Sequence, residues 1–334
     1  MIFNLGLMIT ERCNIKCRHC VFGDGEIMHG GSDMPAEDMK SYIDQMAVIA
    51  GKEKMEFSVN FSGGEPFLCL PQLLEISRYA KSKGAVNVST VTNGFWGSDE
   101  EKADKIILAL KEAGLDLISL SMDDFHQEQV SLSSELTVLK LCRKHHLPFG
   151  IKCVVTRKTR RLPDVLKDLG DLMLDSPITV QEISCCPGGR AASAIPKEDL
   201  FYTEGIPGEA CAAGTMLIII PDGSAYPCCG TGWSPSLYVG NAQNNNLERI
   251  YYDMKSNSVI NILSNNGPAY FVPFLEKAGH TIPKEGYADC CDFCKVMLTH
   301  PAFSKILPVA GRKWRQERVK KVMADLLSED DLPV

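Results

Sequence analysis

Six runs rich in branched and aromatic residues, at 4–10, 56–62, 86–92, 115–122, 149–156 and 178–184, alternate with helix-length stretches at 35–50, 70–83, 99–113, 132–146 and 161–174. Strict alternation leaves few folds open. Consecutive β-α units lay their strands side by side and parallel, with helices packed on the sheet, so the chain is α/β and forms either a doubly wound open sheet or an incomplete barrel. The pleat helps to choose. Ser58, Asn60 and Ser62 fall on one side of the second run, Leu117, Ser119, Ser121 and Asp123 on one side of the fourth, and Lys152, Val154 and Thr156 on one side of the fifth. A closed eight-stranded barrel fills its interior with branched apolar layers, so a polar inner face predicts a splayed, partial (β/α)6 TIM-like barrel whose lumen holds a polar ligand. The competing reading leaves these residues at strand ends, facing solvent.

Where the first run ends, Cys13, Cys17 and Cys20 stand in C-N-I-K-C-R-H-C, spaced C-x3-C-x2-C. Three thiolates on one short loop can hold three irons of a cubane iron–sulfur cluster and leave the fourth iron without a protein ligand. A zinc site is the alternative, although it would ordinarily draw a fourth Cys or His from close by. The second run leads into Ser62-Gly63-Gly64-Glu65-Pro66. Consecutive glycines let the backbone approach a ligand closely, and Glu65 supplies an acceptor for a cationic amine.

Together these two motifs resemble the signatures of the radical S-adenosylmethionine (SAM) superfamily. The resemblance implies a 4Fe-4S cluster on Cys13, Cys17 and Cys20, with SAM chelating the open iron and its methionine ammonium held by Ser62, Gly63, Gly64 and Glu65. Where such sequences usually place an aromatic residue before the third cysteine, this chain has His19, whose planar ring is expected against the adenine. Thr92, Asn93, Ser121 and Asp123 end the third and fourth strands and look like the family's ribose and carboxylate contacts; His126 follows as an acid/base or orienting group. In Cys185-Cys186-Pro187-Gly188-Gly189-Arg190 the P-x-G-R turn resembles that of members with an extra cluster, which gives Arg190 a structural or SAM-carboxylate role. Cys185 or Cys186 is a candidate hydrogen-atom donor to a substrate radical, against the plainer reading of a buried inert thiol.

Fourteen cysteines without a secretion signal read as metal ligands and buried thiols rather than a disulfide framework. Cys211 and Cys228 bracket a hairpin that turns at Asp222-Gly223, and Cys291 and Cys294 follow as C-x2-C. This arrangement resembles the Twitch auxiliary-cluster domain, the first part of the larger SPASM domain. It implies one auxiliary 4Fe-4S cluster on Cys211, Cys228, Cys291 and Cys294, with Cys229 and Cys290 as alternative ligands and a four-cysteine zinc site as the competitor. The expected organisation is a partial barrel over 1–205, a small cysteine-rich α+β domain over 206–300, and a helix with an acidic tail over 301–334.

A formal charge of −7 excludes a general nucleic-acid binder, and no apolar run is long enough to span a membrane. The N-terminus lacks the basic start of a signal peptide, so the expected place is the cytoplasm. The resemblance implies an enzyme that cleaves SAM reductively to a 5′-deoxyadenosyl radical, fed by a donor such as flavodoxin or ferredoxin. The radical would take hydrogen from a ribosomally made peptide, for cross-linking, oxidation or epimerisation. A small polyol or aminocyclitol is the alternative substrate, and a non-catalytic electron-transfer protein is the distant one.

Overall fold

The computed structural model describes residues 2–22, 31–173, 178–230, 235–283 and 286–329. All six expected strands form: β1 (Ile2–Thr10), β2 (Glu56–Gly63), β3 (Asn87–Thr92), β4 (Leu117–Ser121), β5 (Phe149–Val155) and β6 (Thr179–Ser184). Each pairs in parallel with its sequence neighbour. The helices between them are α1 (Ala36–Glu53), α2 (Leu70–Ser82), α3 (Glu100–Glu112), the short α4 (Asp124–Gln127), α5 (Leu132–Lys144) and α6 (Leu162–Lys167). Their spacing explains their packing. On α1, Met39, Tyr42, Ile43, Met46 and Ile49 recur at helical intervals and are buried. Asp99 caps α3 by accepting from the Lys102 amide, and Ser131 caps α5 by accepting from the Ser134 amide.

The sheet has two chemically distinct faces. Leu5, Leu7, Phe57, Val59, Phe61, Ile118, Leu120, Ile151 and Cys153 join the helices in the main apolar core. Ser58, Asn60, Ser62, Ser119, Ser121 and Lys152 alternate with them and so point to the opposite, inner face, where Asn60 donates to Ser89 at 2.9 Å. The polar face read from the sequence therefore lines the concave side of the sheet.

The barrel does not close. The strand order is β6-β5-β4-β3-β2-β1-β7-β8-β9, where β7 (Met216–Ile219), β8 (Ser224–Tyr226) and β9 (Gly240–Asn241) come from the cysteine-rich part. β7 runs parallel to β1, and β8 and β9 follow antiparallel, so this hairpin continues the barrel sheet. After α7 (Ala191–Ala194), the second half adds α8 (Leu247–Ser256), α9 (Ser258–Asn266), α10 (Val272–Lys277), α11 (Cys290–Thr299) and α12 (Phe303–Glu329). Among the described residues no helix is long and apolar enough to cross a membrane. The acidic tail expected at Ser328-Glu329-Asp330-Asp331 lies mostly outside the described residues.

Candidate functional site

The loop carrying Cys13, Cys17 and Cys20 leaves the C-terminal end of β1, and the ends of other strands brace it. Beyond β2, the Gly64 amide donates to the Thr10 carbonyl at 2.7 Å and the Glu65 amide to the Arg12 carbonyl at 2.8 Å. Beyond β3, Asn93 donates to Asn14 at 2.9 Å. Beyond β4, Gln129 accepts from the Lys16 amide at 2.9 Å and Glu128 pairs with Arg18. After β6, the Arg190 amide donates to the Cys20 carbonyl and its guanidinium to the Cys17 carbonyl, both at 2.9 Å. Arg190 thus holds the loop's backbone.

Gly64 has no freedom in this brace. A Cβ there would stand 2.1 Å from the Arg12 carbonyl oxygen, and backbone cannot move aside cheaply. Gly64→Ala is expected to cost about 3 kcal/mol of stability through overpacking. Chemical denaturation measures that loss, and reconstituted iron content should fall with it.

Glu65 is the hub behind the loop. It is 1% exposed, and it accepts from the Phe67 amide, the Thr92 hydroxyl and the Asn93 amide at 3.1, 2.8 and 2.8 Å. Burial raises its carboxyl to about 7 although these donors pull the other way. A cationic group placed against this carboxyl would favour its charged form over the burial that opposes it. Thr92, expected at the ribose, is engaged inside the protein by Glu65 and by the Trp96 indole at 3.1 Å. Asn93 spends its amide on Asn14 and its oxygen on the Phe95 amide. Ser62 and Ser121 remain on the inner face, and Gly63 pairs with Thr10 at the end of β2.

Cys17 is buried, Cys20 half-buried and Cys13 the most exposed of the three. Nearby protein still raises the Cys13 thiol to about 11, and charge on Glu65, Cys17 and Cys20 adds to the shift, so the three sulfurs sit within electrostatic reach. Iron binding displaces such protons, and the convergence fits a cluster on this loop. Asp123, 1% exposed, accepts from the His126 amide, from His126 Nδ1 and from the Val154 amide, leaving it engaged within the protein. Burial pushes Asp123 up, yet His126 outweighs it and holds the carboxyl below its usual range. His19 stacks one face on Phe125 at 4.8 Å; burial depresses it to about 4, and its Nδ1 is buried without a hydrogen-bond partner. That orphaned nitrogen beside the cysteine loop fits a site completed by a ligand.

Six cysteines gather in the second half. Asp289 caps α11 by accepting from the Asp292 amide at 2.7 Å, which puts Cys291 and Cys294 three residues apart on one helix face. Burial raises the Cys294 thiol, and Cys228, Cys211, Cys291 and Cys290 all add to it. Cys211, Cys228, Cys290 and Cys291 thus lie within electrostatic reach of Cys294, and a Cβ on Gly230 would come within 3.0 Å of the Cys291 sulfur. Cys290 points elsewhere, to the Glu209 carbonyl. Cys229 is exposed and lies close enough to Lys152 to favour its charge, although burial on the inner face holds that lysine below its ordinary range. Cys185 is 1% exposed among Phe125, Ala191, Ile195 and Leu200, and Cys186 is 8% exposed. The sequence reading missed Asn14, Gln129 and Lys152 as site residues; Lys152 alone carried a signal, as a charged residue on an inward strand position.

The match to known proteins agrees with this geometry. The radical SAM superfamily is matched over residues 7–174, half of the 334 residues. YydG of Bacillus subtilis (strain 168), named for peptide biosynthesis, is 26% identical over 302 residues, which is 87% of this chain and 90% of YydG. The GTP 3′,8-cyclase of Moorella thermoacetica (strain ATCC 39073 / JCM 9320) is 24% identical over 209 residues, 59% of this chain and 61% of the cyclase. Among solved structures, native anSMEcpe with bound AdoMet matches with a TM-score of 0.59 at 19% identity, over 93% of this chain and 99% of that one. With Cys13, Cys17 and Cys20 inside the matched span, and with this fold, the chain belongs to the radical SAM superfamily.

Proposed function

We propose that the chain is a peptide maturase that binds a 4Fe-4S cluster on Cys13, Cys17 and Cys20, SAM beside Glu65, and an auxiliary 4Fe-4S cluster on Cys211, Cys228, Cys291 and Cys294. The observation that carries the substrate class is the similarity to YydG, which runs through the barrel and the cysteine-rich part alike. When bound and reduced, the open cluster supplies the electron that cleaves SAM to a 5′-deoxyadenosyl radical. The protein's part is placement. Glu65 holds the ammonium, and the inner face formed by Ser62, Ser119, Ser121 and Lys152 gives the substrate a polar bed on which one C–H bond meets the radical carbon.

Cys229 suits the return of a hydrogen atom to the substrate carbon left as a radical better than Cys185 or Cys186, because it is exposed and within electrostatic reach of Lys152 whereas they are buried. The S–H bond breaks and a C–H bond forms. The sulfur, now short of one electron and one proton, is restored by a donor of the flavodoxin or ferredoxin class and by a proton, for which the Lys152 ammonium stands nearby.

The test is anaerobic incubation in deuterated water with SAM, reductant and a candidate precursor peptide encoded beside the gene. We expect one deuterium per modified residue, lost in Cys229→Ala although 5′-deoxyadenosine still forms. Peptide that loses two hydrogens with or without Cys229 contradicts the donor. Deoxyadenosine formation that ignores the peptide contradicts the substrate class.

A further inference from the structure

The concave face of the sheet carries a half-buried cation that the described residues leave unanswered. Lys152 is the one Lys or Arg in strands β1 to β6. It stands between Ile151 and Cys153, whose side chains lie in the apolar core, so its own points to the inner side. In register it meets Ser121, the last residue of β4, and Gln181 of β6. Neighbouring strands lie about 4.8 Å apart, so an ammonium, a hydroxyl and an amide in one row can converge on one small group.

The carboxylates on β6 and in the turn after β4 are committed elsewhere. Asp123 accepts from His126 and the Val154 amide, Asp124 pairs with Arg160, Glu128 pairs with Arg18, and Glu182, on the opposite pleat from Gln181, pairs with Arg161. Among the described residues Lys152 makes no ion pair and no hydrogen bond, and the side chains of Ser121 and Gln181 make no hydrogen bond either. An ammonium buried without a partner is costly, and burial holds Lys152 below its ordinary range. Three donors in a row therefore face the lumen with no acceptor.

Resting on the proposed seat of SAM at Glu65 and of the peptide on the inner face, we propose that Lys152, flanked by Ser121 and Gln181, binds a carboxylate of the substrate peptide. An acidic side chain or the peptide's C-terminus then becomes part of what the enzyme selects. Two carboxylate oxygens offer lone pairs to all three donors, and the bond to the ammonium is charge-assisted. SAM's own carboxylate is the poorer match. It shares one carbon with the ammonium assigned to Glu65, whereas β2, which leads to Glu65, is three strands or about 14 Å from β5. Anchoring one carboxylate at Lys152 would fix which C–H bond of the peptide lies against the radical carbon.

The experiment measures kcat/KM for peptide modification by anaerobically reconstituted holoenzyme with SAM and reductant. Its probes are the precursor peptide encoded beside the gene, the same peptide with each Asp or Glu replaced singly by Asn or Gln, and the peptide amidated at its C-terminus. With the wild-type enzyme one of these changes is expected to cost about tenfold, mostly in KM, as loss of a charge-assisted hydrogen bond implies, and which one it is tells side chain from C-terminus. Lys152→Met should cost a similar factor with the unaltered peptide and no longer distinguish it from that variant, because the pair is already broken. Should Lys152→Met fail to fold, Lys152→Gln supplies the same comparison. A wild-type enzyme indifferent to every acid-to-amide change overturns the proposal, as does a lysine variant that still discriminates. A lysine variant whose defect lies in the KM for SAM alone overturns it too, because the lysine then holds SAM's carboxylate. Deoxyadenosine released with no peptide modified contradicts the peptide reading instead, so the two failures are distinct.

Discussion

Replacing Cys13, Cys17 and Cys20 together with Ala is expected to reduce 5′-deoxyadenosine formation to background while about half of the iron stays on the protein. The loop's fold does not depend on its sulfurs. It is held by Gly64, Glu65, Asn93, Gln129 and Arg190 through backbone and side-chain hydrogen bonds that the substitutions leave intact. The loss is therefore chemical. Iron and sulfide analysis with a visible spectrum checks it: the residual absorbance belongs to the cysteine-rich half, and full iron retention would show that the three thiols hold no cluster.

Replacing Cys294 with Ala should have the opposite profile. Its sulfur lies within electrostatic reach of Cys228, Cys211, Cys291 and Cys290, so in the proposed auxiliary site its loss is expected to matter more than the loss of exposed Cys229. About half of the iron should leave, SAM cleavage should persist, and modified peptide should fall at least about tenfold as deoxyadenosine is made without product. Zinc in place of that half of the iron in the wild-type protein would refute the auxiliary cluster outright. Mass spectrometry of the peptide, set against deoxyadenosine by chromatography, gives the ratio of product to cleavage.

Much of the fold was legible because it is local. Alternating residues such as Phe57, Val59 and Phe61 against Ser58, Asn60 and Ser62 fix both the strand and its inward face. Errors arose where local signals conflict. The stretch at 161–174 reads as one helix, yet α6 ends at Lys167, three residues before Gly170, which takes φ +48. In the second half α8 stops at Ser256 because Asn257 accepts from the Val259 and Ile260 amides and starts α9. Non-local features left no trace. Nothing in Met216–Ile219 announces that β7 lies beside β1, two hundred residues earlier, because a short apolar strand fits any open edge.

The site was legible as a set of residues but less so in their duties. Cys13, Cys17 and Cys20 share one loop that the Glu65 amide helps to brace, since a motif's spacing carries its local placement. Thr92 and Asp123, read as ligand contacts because they end strands at the binding edge, also take protein partners that the sequence did not announce, Thr92 Glu65 and Trp96, Asp123 His126 and Val154. Which partner a buried polar group takes depends on side chains from distant elements, and sequence spacing does not record that choice.

An iron left open by Cys13, Cys17 and Cys20 is proposed to pass the electron that cleaves SAM. The most direct measurement is the 5′-deoxyadenosine released when anaerobically reconstituted, reduced protein is mixed with SAM. SAM should be consumed, with deoxyadenosine and methionine formed in equal amounts. Intact SAM in a protein carrying about eight irons per chain, the load of two 4Fe-4S clusters, would contradict it.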